Sequence, residues 1–174
     1  VFAMCSKLIP VPDEFRTAGI AVVTMPDERW LNCDIKAVSL LGNVLARQAA
    51  ADADATECLM FRDGLLTEGS ASNIWIIRNG AVLAPRRDTR ILEGIRVGLL
   101  EELCHASGLG VEFRNITREE VFAADEILVT SATKEILPAT RIDGRAVGQG
   151  KPGPIFQQLY AAYQKAKTDA AQAG

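Results

Sequence analysis

Residues 57–85 read ECLMFRDGLLTEGSASNIWIIRNGAVLAP, and this stretch limits the local structure more than any other part of the chain. Four short apolar, β-prone runs (ECLMF, LLTEG, NIWII and AVLAP) are cut by Asp63-Gly64 and Asn79-Gly80. Asp-Gly and Asn-Gly pairs accept the positive φ that a two-residue hairpin turn needs at both positions. The spacing therefore predicts two tight hairpins in series.

The rest of the pattern is arranged around these strands. VFAMCSKLIPVP reads as a strand entering a Pro-rich turn, and GIAVVTMPDERWLNCDI as a β-branched run, a Pro-Asp turn and a second extended segment. From Ser39, a plausible N-cap, the period turns helical, with Leu40, Leu41, Val44 and Leu45 on one face until ADADAT ends it. RRDTRILEG reads as a polar loop. A helix starting at Gly94 or Ile95 carries Ile95, Leu99, Leu100 and Leu103 as a stripe and stops at SGLG. GVEFRNI is a strand, and Thr117 with Glu120 forms a capping box for the short helix TREEVFAA. DEILVTSA and EILPATRIDG look like neighbouring strands, residues 154 to about 167 like an amphipathic helix, and residues 168–174 like a frayed tail. Strands and helices mix without a regular βαβ beat. The expected class is α/β of an irregular kind, or α+β, in one domain over residues 1–174.

Composition removes several function classes. A net charge of −3 with pI near 5.3 gives no basic footprint for nucleic acid. No apolar run approaches a membrane span. Cys5, Cys33, Cys58 and Cys104 form no CxxC pair and His105 is the single histidine, so no metal centre is expected. His105 reads as a satisfied structural residue inside a helix, which leaves no base for a Ser-His-Asp hydrolase. Reduced thiols suit a cytoplasmic protein. The chain opens on Val1 in mid-strand, with no signal-peptide pattern, and is expected to be a piece lacking an upstream part.

Lys36 stands just before the apolar segment 37–50. Alone, such a lysine is an ordinary charge reaching for water. Three other stretches bear on it. TEGSASN (67–73) gathers an acid, a glycine and small polar side chains between strands; LEGIR (92–96) sets a glycine at a helix start, where free N–H groups suit a phosphate; TSAT (130–133) ends an apolar strand with hydroxyls. Each has an ordinary reading, as a hairpin loop, a common helix start or a strand exit. Together they ask for one ligand with a phosphate, a group needing a carboxylate, and a carbonyl that reacts with Lys36. Pyridoxal 5'-phosphate has all three. Its aldehyde would react with an amine deprotonated by desolvation and nearby charge. A buried carboxylate such as Glu68 would keep the ring nitrogen protonated.

The order DIKxxxLLxNVLA, xEGSxSN, ILxGI, TSxTxEI resembles the fold-type IV pyridoxal-phosphate enzymes, over about Val1 to Tyr163. That class holds D-amino acid aminotransferases, which this chain resembles most, together with branched-chain aminotransferases and aminodeoxychorismate lyase as alternatives. The resemblance implies the C-terminal domain of the D-amino acid aminotransferase-like fold, with mixed sheets in a pseudo-barrel flanked by helices. It implies that Lys36 bonds to the cofactor aldehyde and then moves the proton between substrate Cα and cofactor C4′. By the same resemblance Glu68 faces the pyridine nitrogen, and Ser72 and Asn73 lie beside the ring. Gly94, Ile95 and Arg96 form one phosphate-binding segment, and Ser131, Ala132 and Thr133 the other. Arg29 and Glu57 fall where the family has a buried polar pair.

Three residues depart from the family pattern. Arg96 and Ala132 each stand where relatives often have Thr, and Trp75 where they have Phe or Tyr. The implied reaction is transfer of an amine from a D-alanine-type donor to a 2-oxo acid such as 2-oxoglutarate, in a homodimer. A smaller N-terminal domain, absent from this chain, would supply a phosphate-binding Arg and the groups that hold the substrate carboxylate. The competing class is a non-catalytic relative that has lost the cofactor through the changes at Arg96 and Ala132.

Overall fold

Both hairpin turns are built on left-handed residues, Asp63 (φ 53°) with Gly64 (φ 76°) and Asn79 (φ 52°) with Gly80 (φ 80°). The computed structural model describes residues 2–173; Val1, first in the expected opening strand, and Gly174, last in the expected tail, lie outside it. A short helix α1 (Glu14–Thr17) leads to β1 (Ile20–Pro26), and helix α2 (Leu41–Asp52) precedes the paired hairpins. These are β2 (Glu57–Arg62) with β3 (Leu65–Gly69), and β4 (Asn73–Arg78) with β5 (Ala81–Pro85). There follow α3 (Arg96–Ala106), β6 (Val111–Arg114), α4 (Arg118–Phe122), β7 (Glu126–Ser131), β8 (Glu135–Ile142), β9 (Arg145–Ala146) and α5 (Pro154–Ala173).

All the strands form one mixed sheet, ordered β3-β2-β1-β8-β7-β4-β5-β6, with β9 on β8. β1 runs parallel to both β2 and β8, and β7 and β8 are antiparallel neighbours, as their sequences suggested. The sheet curls until its edges meet: Leu65 bridges Thr117, and the Leu66 N–H donates to Ile116 O at 2.8 Å. Alternation along the strands sorts side chains to two faces. On β4, Ile74 and Ile76 join the barrel core with Leu59, Leu83 and Val129. Trp75 and Ile77 face the other way, against Val97, Leu100, Phe156 and Leu159 of α3 and α5.

Two caps hold helices to this sheet. Thr117 and Glu120 make the expected capping box on α4. The buried Glu126 carboxylate, from β7, accepts the N–H groups of Ile155 and Phe156, both at 2.9 Å, and so caps α5 across a long sequence gap. A side chain at Gly153 would collide with that carboxylate.

Several expectations are corrected. Residues 2–10 form no strand: they find no partner strand, and β-propensity alone does not order an edge. The second extended segment, beyond the Pro-Asp turn, is a run of turns and bends. α2 starts at Leu41 with Leu40 as its uncapped N-cap, not Ser39. Its buried side is Ala46 and Ala50 against Cys58 and Met60, while Leu41, Val44 and Leu45 are exposed. Small alanines let the helix approach the sheet, which turns the leucine face outward. On α3 the buried stripe is Val97, Leu100, Leu103 and Cys104, and Ile95 is 82% exposed. His105 is exposed in the last turn of α3 rather than satisfied within the core. Residues 168–173 continue α5 instead of fraying, in keeping with the high helix propensity of alanine. All four cysteines are free.

Removal of either cap reports on this architecture. Thr117→Ala is expected to lower the free energy of unfolding by about 1 kcal/mol. Glu126→Ala, which strands two helix N–H groups in a buried place, is expected to cost more, about 2 kcal/mol, by urea titration.

Candidate functional site

Strand β1 runs out into Asp27, and two residues later the Arg29 side chain folds back onto it. Its guanidinium is almost fully enclosed. Arg29 Nε and Nη2 donate to the two Asp27 carboxylate oxygens at 2.9 Å, Nη1 donates to Glu68 Oε1, and Nη2 reaches Arg90 O at 3.0 Å. Arg62 adds a second cation 3.1 Å from Asp27, and Thr67 Oγ1 donates to Asp27 at 2.9 Å. Burial works against the Asp27 charge, but the Arg29 hydrogen bonds and charge outweigh it and hold this carboxyl below its ordinary range.

Glu68 lies on β3 and is 5% exposed. It accepts one Arg29 N–H and, at 3.0 Å, the N–H of Leu92. With one arginine donor where Asp27 has three guanidinium contacts, burial prevails and pushes Glu68 up to about 7. The two acids on Arg29 are thereby driven apart, a pattern typical of functional carboxylates.

Lys36 sits in irregular chain between this cluster and α2. The segment is held by Arg29 at one end and by Cys33 N–H donating to Thr89 O at 2.7 Å. At the other end, Gly42 packs so closely on the Arg29 side chain that a Cβ would collide with it. Lys36 itself is exposed, at the rim of a cavity of about 560 Å³.

Nearly all the expected residues line this one cavity: Lys36, Glu68, Ser72, Asn73, Gly94, Ile95, Arg96, Ser131 and Ala132. Asn73 braces its floor, accepting the Gly94 N–H at 3.1 Å and donating to Leu92 O at 2.8 Å. Any side chain at Gly94 would strike the Asn73 amide. Arg96 opens α3, donates to Ala132 O at 3.1 Å and lies 5.1 Å above the Tyr163 ring, with its Nε buried and unpartnered. A neighbouring cavity of about 440 Å³ shares Asn73, Leu92 and Glu93 with the first but has no lysine in its lining.

Two expectations fail here. Thr133 is exposed within the β7–β8 turn that the Lys134 N–H closes on Ser131 Oγ at 3.1 Å, and it does not line the cavity. Arg29 and Glu57 are not partners. Arg29 serves Asp27 and Glu68, while Glu57, fully buried at the start of β2, binds Ser70, Ser72 and Lys134. Sequence reasoning also missed Asn43, which lines the cavity and donates to Ser70 O at 2.9 Å. The lone amide within the apolar LLGNVLA was its signal. No group of three or more His, Cys, Asp or Glu that could hold a metal occurs among the described residues.

The raised Glu68 makes stability depend on pH. Between about pH 4.5 and 7 the native chain keeps a proton on Glu68 that the unfolded chain has released. Stability therefore falls as pH rises through that window, by up to about 1.4 kcal/mol per pH unit. Urea midpoints measured from pH 4.5 to 7.5 are expected to lose this component in Glu68→Gln; parallel profiles would contradict it.

Comparison with known proteins agrees with this geometry. A family profile described as amino-transferase class IV matches residues 2–142. The chain is 39% identical over 156 residues to the D-alanine aminotransferase of Bacillus licheniformis, covering 90% of this chain and 55% of that protein. It is 37% identical over 160 residues to the D-alanine aminotransferase of Listeria monocytogenes serotype 1/2a, covering 92% of this chain and 55% of that one. The branched-chain amino acid aminotransferase of Thermobaculum terrenum, solved in its PLP form, superposes with a TM-score of 0.82 at 27% identity, over 90% of this chain and 53% of that one. The chain thus spans about half the length of the relatives it matches. With Lys36, Glu68 and the two polar turns gathered around one cavity, it belongs to the class IV aminotransferases.

Proposed function

We propose that the protein carrying this chain transfers an amino group from a D-alanine-type amino acid to a 2-oxo acid such as 2-oxoglutarate, using pyridoxal 5'-phosphate. The observation that carries this reading is the single cavity with Lys36 at its rim and the buried Glu68 in its wall. The donor set fits that cofactor. At about 560 Å³ the space is in the range of small-molecule sites. The start of α3, with the unpartnered Arg96 Nε, supplies cationic and N–H character for a phosphate. Ala132 removes a hydroxyl from that end, and Arg96 offers a charge in return.

When bound, pyridoxal phosphate supplies an electron sink for the pair left at a substrate Cα. With that cofactor bound, Lys36 would be the nucleophile toward its aldehyde and then the base and acid that moves the Cα proton. Glu68, fixed by Arg29 and Leu92, would face the ring nitrogen. Ser72 and Asn73 would lie beside the ring, while Gly94, Ile95, Arg96, Ser131 and Ala132 would hold the phosphate. The D-alanine aminotransferases among the relatives support the D-amino acid donor. The branched-chain enzymes among the structural neighbours support a second reading, transamination of branched-chain amino acids.

The full protein has a further N-terminal domain, works as a homodimer and is cytoplasmic in this reading. The exposed Trp30, Val38, Leu41 and Leu45, which line one depression, and the exposed Leu31 near them in sequence support coverage by such partners. Among the described residues, no helix is long and apolar enough to cross a membrane.

Borohydride reduction in the presence of pyridoxal phosphate, followed by peptide mass spectrometry, is expected to label Lys36 selectively. Lys36→Ala is expected to lose the label and to lower the rate of D-alanine transamination by roughly 10³-fold. Undiminished turnover in that variant would end the mechanism. Absence of label in the full-length protein would favour a non-catalytic relative, and a preference for L-valine over D-alanine the branched-chain reading.

A further inference from the structure

Glu57 is fully buried, yet it takes no part in the chemistry proposed above. One of its oxygens accepts from the Cys58 and Ser70 N–H groups, at 2.9 and 3.0 Å, and from the Ser70 hydroxyl; the other accepts from Ser72 Oγ at 2.9 Å. The same carboxylate thus fixes the whole 69–72 loop, one wall of the cavity. A Cβ at Gly69 would collide with Ser72 Oγ, so the loop has no slack on that side.

The group that answers this charge comes from the opposite wall. Lys134 closes the β7–β8 turn that presents Ser131 and Ala132 to the cavity. Its Nζ reaches past β1 to the start of β2, 3.5 Å from Glu57 Oε2 and 3.4 Å from Thr56 O. The side chain is 19% exposed, and burial lowers its pKa, with Glu57 opposing the shift. Arg47, which donates to Thr56 O at 2.8 Å, is the other cation facing this place. β2 and β7 are not neighbours in the sheet, so the register of the strands does not by itself set the spacing of the two turns.

We infer that Lys134 is a positioning residue: its ion pair with Glu57 ties the Ser131–Ala132 turn to the Ser70–Ser72 loop and so sets the shape of the phosphate end of the cavity. Lys134 does not itself line the cavity; it acts through the two turns. This rests on the cofactor reading only for the identity of the anion held there.

The experiment compares the full-length protein with Lys134→Met and Lys134→Arg. Hydrogen exchange, measured without cofactor, is expected to quicken in Lys134→Met at residues 70–72 and 131–134 together and to be restored in Lys134→Arg. The dissociation constant for pyridoxal phosphate is expected to rise about tenfold in Lys134→Met, while that for pyridoxal, the same ring without phosphate, stays within twofold. Exchange that is unchanged, or raised in only one of the two turns, would overturn the inference whether or not the cofactor binds. An equal loss for pyridoxal and pyridoxal phosphate would also overturn it. Failure of the wild-type protein to bind pyridoxal phosphate, with both turns loosened in Lys134→Met, would instead reject the cofactor reading and leave the tie supported.

Discussion

A buried guanidinium between two carboxylates organises this domain. Arg29 is enclosed among Asp27, Glu68 and the carbonyl of Arg90, with side-chain exposure of 4% for the arginine and 0% and 7% for the acids. Such a cluster adds little to stability when complete, because desolvation offsets most of the attraction, but removing one member leaves an uncompensated charge. Its value here is geometric. It joins the end of β1, strand β3 and the loop before α3, and Gly42 seats α2 directly on it. Lys36 lies between two of these anchored points, so an exposed lysine on irregular chain still has a defined address.

The local structure was largely legible in the sequence, and for a physical reason. Asn-Gly and Asp-Gly turns, the Thr117–Glu120 box and the helical runs of α3 and α5 all depend on residues close in sequence. The gathering of candidate residues was legible as well, since Lys36, Glu68, Asn73 and Gly94, which line one cavity, sit in short motifs. What could not be read was pairing at long range. The resemblance marked Glu57 and Arg29 together as a buried polar pair, but only the folded sheet decides that one meets Lys134 and the other Glu68.

The face of α2 was missed for a related reason. Periodicity reveals that a helix has an apolar side, not which surface that side meets. In α2 two stripes compete, the leucine stripe of Leu41 and Leu45 and the alanine stripe of Ala46 and Ala50. The sheet takes the smaller one, because Cys58 and Met60 already fill the space above β2. The larger stripe stays outside, beside Trp30 and Val38 along a further depression in the surface.

The strand order has a consequence for how the chain is made. β1 precedes the other strands of this sheet in the chain but lies inside the sheet, with β2 on one edge and β8 on the other, Val22 lying opposite Ile142. Its first neighbour follows soon; its second does not exist until most of the domain has been translated. In the interval β1 presents an open parallel edge of apolar residues, a template on which another chain can pair. Folding of this domain is then a competition between closure within one molecule, indifferent to concentration, and association between molecules, which concentration favours.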